Sequence, residues 1–250
     1  MNVIILAAGK GMRLRPETTN VPKGMVKLFD KSLLEMQIDI FKKCEINDIS
    51  IVSGYLANQI TIPSVNYYKN ENYSSTSGIE SLFCAKEKLQ DNTIITYSDL
   101  VFEKSIIDSV IGFRGDIGIT VDLNWEKNYV GRDLHPKSEA ENVLLDKDGN
   151  IQKLRKNISE CEENEKIGEF SGIVKLSKKA SKIFIDKYLE LKESHKGKFH
   201  NAPSLENAII SDMLQELIDS GITVEPILIS GQWCEIDTPQ DLERARKLFV

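Results

Sequence analysis

Cationic side chains follow a glycine turn near the start of the chain. The apolar run Val3–Ala7 leads into Gly9 and Gly11, and Arg13 and Lys23 come soon after. Glycine lets the backbone approach an anion closely, and N–H groups at such a turn bind phosphate oxygens. Arginine and lysine add fixed positive charge. The turn therefore predicts a phosphate-binding loop, against the alternative of a tight structural connection.

Two familiar phosphate-binding motifs do not match this loop. A dinucleotide fingerprint needs glycine where Leu14 stands, and a Walker loop needs Lys-Ser or Lys-Thr after its final glycine. Any anion site must be built locally, because the 250 residues carry a formal net charge of -6. This acidic balance argues against general binding to nucleic acid.

The cysteines and the apolar stretches restrict the class of protein further. Cys44, Cys84, Cys161 and Cys234 are scattered, so neither a disulfide framework nor a zinc site is expected. The opening VIILAA is too short for a signal-peptide core, and no stretch reaches the roughly 20 apolar residues of a membrane span. The prediction is a cytoplasmic protein without a membrane partner.

Strand-like and helix-like patterns alternate through the first hundred residues. Continuous apolar runs are typical of central parallel strands, and Ser32 is a suitable N-cap for the first amphipathic helix. The ligands of such a sheet bind beyond the carboxyl ends of its strands. We predict strands within 3–7, 48–54, 65–68 and 92–99, and helices within 32–46, from Tyr55 and over 79–89.

The second half is less regular but contains no repeat and no linker. An open, mostly parallel sheet covered by helices on both faces is expected, in a single domain over residues 1–250. The mixed strands of the second half suggest an insertion or lid on this core. We predict strands within 116–123, 141–156, 168–177, 221–229 and 232–237, and helices over 203–220 and 239–250.

Three motifs in order carry a family resemblance that spans nearly the whole chain. They are LAAGKGMRLRP…PKGM in the opening loop, TYSDLVF in the middle and WCEIDTPQDLERA near the end. Together they resemble the nucleotidyltransferases that activate sugar phosphates and phosphocholine. The resemblance implies an α/β fold with a Rossmann-like, mostly parallel mixed sheet of the nucleotide-diphospho-sugar transferase type, flanked by helices and carrying a small insertion or lid.

The resemblance also implies a reaction, in which a phosphoryl or phosphonyl oxygen attacks the α-phosphorus of a nucleoside triphosphate and pyrophosphate leaves. Asp99 and Asp237 are then the Mg²⁺ ligands, although each could instead cap a helix. Arg13 is expected on the leaving phosphates and Lys23 near the α-phosphate. The stretch before the third helix would read the pyrimidine of CTP. The implied nucleotide-binding set is Leu6, Ala7, Ala8, Gly9, Gly11, Arg13, Lys23, Thr76, Ser77 and Ser81.

The segment Asp122–Val143 resembles a stretch of the cytidylyltransferases found with phosphoenolpyruvate mutase in phosphonate pathways. Aromatic faces and acids can receive a small ammonium, and Arg132 and Lys156 can hold a phosphonate. The resemblance implies a small phosphonate acceptor such as 2-aminoethylphosphonate or 2-hydroxyethylphosphonate, with 122–172 as the acceptor-binding insertion or lid. The ammonium of 2-aminoethylphosphonate would face Asp122 or Glu139. The candidate acceptor residues are Asp122, Trp125, Tyr129, Arg132, Glu139, Lys156 and Glu169.

Several alternatives stay open at this point. The acceptor could be phosphocholine or a hexose 1-phosphate, and a chain of this fold could be a catalytically silent nucleotide-sensing subunit. A homodimer is possible. His135, His195 and His200 show no metal-ligand spacing and are treated as non-catalytic.

Overall fold

The first strand, β1 (Asn2–Ala7), is buried on both faces of a nine-stranded sheet. Ile4 and Leu6 pack into the hydrophobic cluster on one face, and Val3 and Ile5 pack into the cluster on the other. A strand of this kind requires helices on both sides, which explains the alternation of strands and helices along the chain. The computed structural model describes residues 1–249.

The elements agree with much of the predicted alternation. The strands are β1, β2 (Lys27–Leu28), β3 (Lys31–Ser32), β4 (Ile49–Ser53), β5 (Asn66–Lys69), β6 (Thr93–Tyr97), β7 (Leu100–Phe102), β8 (Ile117–Asp122), β9 (Glu141–Leu145), β10 (Ile151–Lys156), β11 (Lys166–Leu176), β12 (Glu225–Leu228) and β13 (Trp233–Glu235). The helices are α1 (Leu33–Lys43), α2 (Gly78–Cys84), α3 (Lys104–Gly112), α4 (Lys178–Ser194), α5 (Ile210–Asp219) and α6 (Pro239–Leu248).

The sheet combines a parallel part with a mixed part. Strands β6, β1, β4 and β5 lie side by side and parallel. The long strand β11 runs antiparallel to β6, β8 and β9, while β12 is parallel to β8. The predicted fold class, a mostly parallel mixed sheet flanked by helices, is confirmed. Strands β9 and β10, inside the segment 122–172, belong to this same sheet.

A third hydrophobic cluster brings the two ends of the chain together. Leu14 of the opening loop packs in it with Cys234 of β13 and with Leu242 and Ala245 of α6. Ser32 caps α1 as predicted, accepting a hydrogen bond from the backbone N–H of Glu35. The cluster sets the glycine turn beside the WCEID motif, although more than 200 residues separate the two.

The prediction of a helix over 203–220 is wrong in its first part. Helix α5 covers only Ile210–Asp219. The preceding segment is held against α2 instead, because the N–H groups of Ser77 and Ile79 donate to the carbonyl oxygens of Glu206 and Ala208. Backbone carbonyls used in this way are not available to a continuous helix.

Other differences are smaller. The predicted helix from Tyr55 is a single 3-10 turn, Ala57–Gln59, and the helix predicted over 79–89 is divided into α2 and the 3-10 turn Lys86–Gln90. Helices α3 and α4 were not predicted. Val250, included in the predicted closing helix, lies outside the described residues.

Two predictions from composition concern cysteine and membranes. Cys44, Cys84, Cys161 and Cys234 are all free thiols. Between residues 1 and 249, no helix combines the length and the apolar character needed to cross a bilayer.

Candidate active site

A cavity of about 380 Å³ lies beyond the carboxyl ends of β1 and β6. This is where ligands of open α/β sheets bind. Ala7 is the one predicted nucleotide-binding residue outside its wall, and it lies buried at the end of β1. The predicted residues that line the cavity are Leu6, Ala8, Gly9, Gly11, Arg13, Lys23, Thr76, Ser77, Ser81, Asp99 and Asp237.

The glycine turn is held in a conformation that favours glycine. Gly11 has φ +58°, and its carbonyl oxygen accepts a hydrogen bond of 2.7 Å from the Thr18 hydroxyl. A β-carbon at this position would lie 3.1 Å from the side chains of both Lys23 and Thr18. The turn therefore packs directly against the stem of Lys23 and directs this side chain into the cavity.

The cations of the opening loop meet the two predicted metal ligands. Lys23 Nζ lies 2.6 Å from Asp99 Oδ2 and also contacts Asp237 Oδ1. Arg13 Nη2 lies 2.5 Å from Asp237 Oδ2. Three segments that are distant in sequence thus converge on one cluster of alternating charges.

The charges of this cluster reinforce one another. Burial alone would lower the pKa of Lys23, but Asp99 and Asp237 outweigh it and raise the pKa above its ordinary value. Burial opposes ionisation of Asp237, yet Lys23 and Arg13 hold its pKa well below the usual range. Lys23 is therefore a fixed cation and Asp237 a fixed anion.

The cluster contains more acid than base. Glu235 stands beside Asp237, and partial burial together with the charges of Asp237 and Asp99 raises the pKa of its carboxyl group. His135, Glu235 and Asp237 each offer a ligand atom within 4.8 Å of the others. Carboxyl oxygens are the donors that suit Mg²⁺. The residues present therefore fit the predicted metal.

Thr76 and Ser81 are organised by a residue that the sequence analysis did not select. Asn70 is buried, and its amide donates hydrogen bonds of 3.0 Å to both hydroxyl oxygens. The two hydroxyls in turn donate to the carbonyls of Asn72 and Ser77. This network fixes the wall of the cavity that faces the opening loop.

A second cavity of about 260 Å³ adjoins the first. The charged side chains Arg13, Asp99 and Asp237 line both cavities, together with Tyr97 and Ile209. A ligand in each cavity would therefore reach the same charged cluster. The geometry suits a reaction between two bound molecules.

Three of the predicted acceptor residues line the second cavity. Glu139 and Lys156 form an ion pair of 2.7 Å at its exposed rim. Glu169 is buried in its wall and accepts a hydrogen bond from the Tyr129 hydroxyl through Oε1. Glu169 Oε2 finds no hydrogen-bond partner among residues 1–249. Burial raises the pKa of Glu169 to about 8.

The other four predicted acceptor residues do not reach this cavity. Asp122 accepts a hydrogen bond of 3.0 Å from Trp233 Nε1, and Trp125 donates one of 3.1 Å to the Ile167 carbonyl. Tyr129 and Arg132 also have their polar groups committed to neighbouring residues. The structure thus places Asp122, Tyr129 and Arg132 behind the wall, as supports of residues that line it, whereas Trp125 lines a separate cavity with Ile167.

The sequence analysis missed His135, Glu235 and Tyr97 in the wall of the second cavity. Glu235 could have been found, because it lies two residues before Asp237 in a strand-like segment and such residues share a face. His135 carried no such signal. Burial and the charge of Arg132 lower its pKa to about 4, so the imidazole is neutral.

Comparison with known proteins identifies the family. Residues 3–128 match the MobA-like NTP transferase domain. The chain belongs to this family. A CTP:phosphoglutamine cytidylyltransferase of Campylobacter jejuni is 31% identical over 255 residues, covering 97% of this chain and 98% of the relative. The choline-phosphate cytidylyltransferase of Streptococcus pneumoniae is 39% identical over 121 residues, 47% of this chain and 50% of the relative.

The fold of this NTP transferase also matches solved structures. The CTP:phosphocholine cytidylyltransferase from Streptococcus pneumoniae superposes with a TM-score of 0.73 at 23% identity, covering 100% of this chain and 99% of the other. The predicted resemblance to sugar-phosphate and phosphocholine cytidylyltransferases is confirmed. The protein is a nucleotidyltransferase.

Proposed function

We propose that this NTP transferase uses CTP to transfer CMP to a small acceptor that carries a phosphonate or phosphate group. The observation that carries the proposal is the pair of adjoining cavities that share Arg13, Asp99 and Asp237. The choice of CTP is supported by the two relatives from Campylobacter jejuni and Streptococcus pneumoniae, because both are cytidylyltransferases.

In the proposed reaction, an ionised oxygen of the acceptor attacks the α-phosphorus of CTP and forms a new P–O bond. The bond between the α-phosphorus and the bridging oxygen breaks, and its electron pair leaves with pyrophosphate. Arg13 neutralises charge on the leaving group, and Lys23 neutralises charge on the α-phosphate. Because the acceptor oxygen is already ionised near pH 7, the protein needs no nucleophilic side chain.

Asp99 and Asp237 would hold Mg²⁺, which supplies positive charge to the triphosphate oxygens. The excess of carboxyl groups around Lys23 supports this assignment. Because Lys23 contacts both carboxylates and Arg13 contacts Asp237, a bound Mg²⁺ would share these ligands with the two cations.

For the acceptor, we propose 2-aminoethylphosphonate. Glu139, Glu141, Glu169 and Glu235 all line the second cavity, and an ammonium group would find carboxyl groups there. The unpartnered Oε2 of Glu169 is the group best suited to receive it. Lys156 would face the phosphonate.

Phosphoglutamine is a second candidate. It is supported by the Campylobacter jejuni relative, whose similarity extends over nearly the full length of both chains. An amino group on this acceptor would meet the same acidic wall.

A matrix of pyrophosphate-release assays tests the proposal. CTP, UTP, ATP and GTP are each combined with 2-aminoethylphosphonate, 2-hydroxyethylphosphonate, phosphoglutamine, phosphocholine and glucose 1-phosphate, and the products are weighed by mass spectrometry. We expect CTP with 2-aminoethylphosphonate to be fastest. Asp99→Asn should abolish turnover, whereas Asp186→Asn, an exposed carboxylate on α4, should not change it.

Two outcomes of this assay would contradict the proposal. A preference for glucose 1-phosphate would exclude the small acceptor, and a preference for a purine nucleotide would exclude the cytidylyltransferase. A preference for phosphoglutamine would replace 2-aminoethylphosphonate and leave the reaction class intact.

A further inference from the structure

A buried carboxylate fixes the backbone that carries Asp237. Asp241, in the first turn of α6, is fully buried, and its Oδ2 accepts hydrogen bonds from the N–H groups of Asp237 at 3.1 Å and Thr238 at 2.8 Å. The Thr238 hydroxyl donates to the same oxygen at 2.9 Å. The position of Asp237 therefore depends on where the Asp241 carboxylate is held.

Arg132 holds this carboxylate from the other side. Its Nε lies 2.5 Å from Asp241 Oδ1, and its Nη2 donates to the Glu235 carbonyl at 3.2 Å. Nη2 also lies 3.1 Å from His135 Nδ1, and the Tyr129 ring covers the guanidinium at 5.0 Å. Arg132 thus contacts the chain both before and after Asp237.

The loop that carries Arg132 is docked on α6 by further side chains. Gln240 donates to the Gly131 carbonyl at 2.8 Å and accepts from the Leu134 N–H at 3.1 Å. Arg244 donates to the Asn128 side chain at 2.8 Å. Loop and helix are therefore connected at several points, with the Arg132–Asp241 pair buried among them.

We propose that Arg132 is a positioning residue, which fixes Asp237 by holding the Asp241 carboxylate and the Glu235 carbonyl. A planar guanidinium can bind two acceptors in a fixed geometry, which a lysine cannot do. This role differs from the direct contact with the acceptor that the sequence suggested, because the guanidinium lies behind the cavity wall. The kinetic part of the test rests on the proposed function.

The first test measures the backbone itself. Amide hydrogen exchange is followed by mass spectrometry in the peptide 233–242 of the full chain. Arg132→Met should accelerate exchange there by about tenfold, while the amides of β1 and β4 keep their protection. Arg246→Met, which removes an exposed arginine of the same helix, is the control and should leave the peptide unchanged. This readout is independent of any activity.

The second test separates positioning from acceptor binding. Arg132→Met should lower kcat by roughly 30-fold and change the acceptor KM by less than about threefold, because a misplaced carboxylate weakens the transition state more than ground-state binding. A melting curve of each variant verifies folding. If Arg132→Met does not fold, Arg132→Lys is tested in its place. This variant should show the same faster exchange in 233–242 and the same loss of kcat, each to a smaller extent.

Three results would overturn the proposal. Unchanged exchange in 233–242 would show that the Asp241 cap does not need Arg132. An acceptor KM raised about tenfold with kcat intact would make Arg132 a binding residue instead. A folded Arg132→Lys variant with the exchange and kcat of the parent would show that charge alone suffices. An inactive parent would contradict the proposed function, and the exchange experiment would still decide the role of Arg132.

Discussion

Glu169 presents a buried carboxyl oxygen to the second cavity, where the proposed function places the ammonium group of the acceptor. Burial raises the pKa of Glu169 to about 8. The hydrogen bond from Tyr129 and the charge of Arg132 oppose this shift, whereas the charges of Asp122 and Glu141 add to it. In the free protein at pH 7, the Glu169 carboxyl group is therefore mostly protonated.

An acceptor that carries an ammonium group should bind more tightly as the pH rises. Because the pKa of Glu169 is raised, its negative charge is present above about pH 8 and is lost as the pH falls below it. With a pKa of about 8, the ionised fraction of Glu169 rises about tenfold between pH 7 and pH 9. Because only the ionised form makes the charge-assisted contact, the KM for 2-aminoethylphosphonate should fall by about tenfold over this range. Steady-state kinetics across this range provide the measurement.

Two controls isolate the carboxylate. Glu169→Gln has the same shape but no charge to lose, so its KM should not follow the pH in this way. The parent with 2-hydroxyethylphosphonate, which lacks the ammonium, corrects for titration of the phosphonate itself. A pH dependence that persists in Glu169→Gln would assign it to another group.

The sequence predicted which residues form the charged cluster better than it predicted where their side chains point. The cluster of Arg13, Lys23, Asp99 and Asp237 forms as expected from three motifs. Arg132, however, points to Asp241 and not to the acceptor cavity. Its partner is 109 residues away in sequence, so no local pattern could reveal the direction of the side chain.

At the scale of elements, a bulge in β11 shapes the wall of the second cavity. The register of β11 against β8 shifts between Phe170 and Val174, and Gly172 within this stretch has φ +86°. A β-carbon on Gly172 would lie 2.9 Å from Leu100 Cδ1 and 3.3 Å from Tyr97 Cδ2. Bulges of this kind redirect the side chains beside an active site.

Gly172→Ala should therefore affect both stability and acceptor binding. A positive φ costs a non-glycine residue about 1–2 kcal/mol, and the close contact with Leu100 adds about 1–3 kcal/mol. Displaced Tyr97 and Leu100 side chains should raise the acceptor KM. Urea unfolding and steady-state kinetics measure the two effects.

Gly149→Ala is the matched control, because Gly149 also has φ +86° but nothing lies within 4 Å of its β-carbon position. This variant should show the backbone cost alone and keep the KM of the parent. Equal losses of stability in the two variants would mean that the contacts around Gly172 adapt without cost.

Among the elements, the sequence predicted the buried strands most reliably. Runs such as Val3–Ala7 must be strands in a covered sheet, since both faces are apolar. Helix α4 was not predicted, because only a narrow face of it is buried. The buried residues Ala180, Phe184, Tyr188 and Leu191 are separated in sequence by charged residues. The segment before α5 contains only the 3-10 turn Leu205–Asn207, and it was predicted as helix because its pairing with α2 is a tertiary contact.

At the scale of the whole molecule, an acidic chain places two cations in the wall of one cleft. The net charge is -6, yet Arg13 and Lys23 both face the first cavity. Its wall is assembled from β1, the opening loop, the start of α2, the end of β6 and the approach to α6. A nucleotide bound there would connect elements from both ends of the chain. A homodimer and a cytoplasmic location stay predictions from the sequence.

CTP with Mg²⁺ should consequently stabilise the whole fold. A ligand at 100 times its Kd adds about 2.7 kcal/mol to the free energy of unfolding, and for a chain of about 250 residues this raises Tm by roughly 5–10 °C. Thermal melts with CTP, UTP, ATP and GTP measure the effect, and CTP should give the largest shift.

Arg13→Ala should lose most of the Tm shift caused by CTP, whereas Arg15→Ala, which removes an exposed arginine of the same loop, should keep this shift. An equal shift in Arg13→Ala and Arg15→Ala would show that Arg13 does not bind the nucleotide, and equal shifts with all four nucleotides would show that the cavity does not select the base.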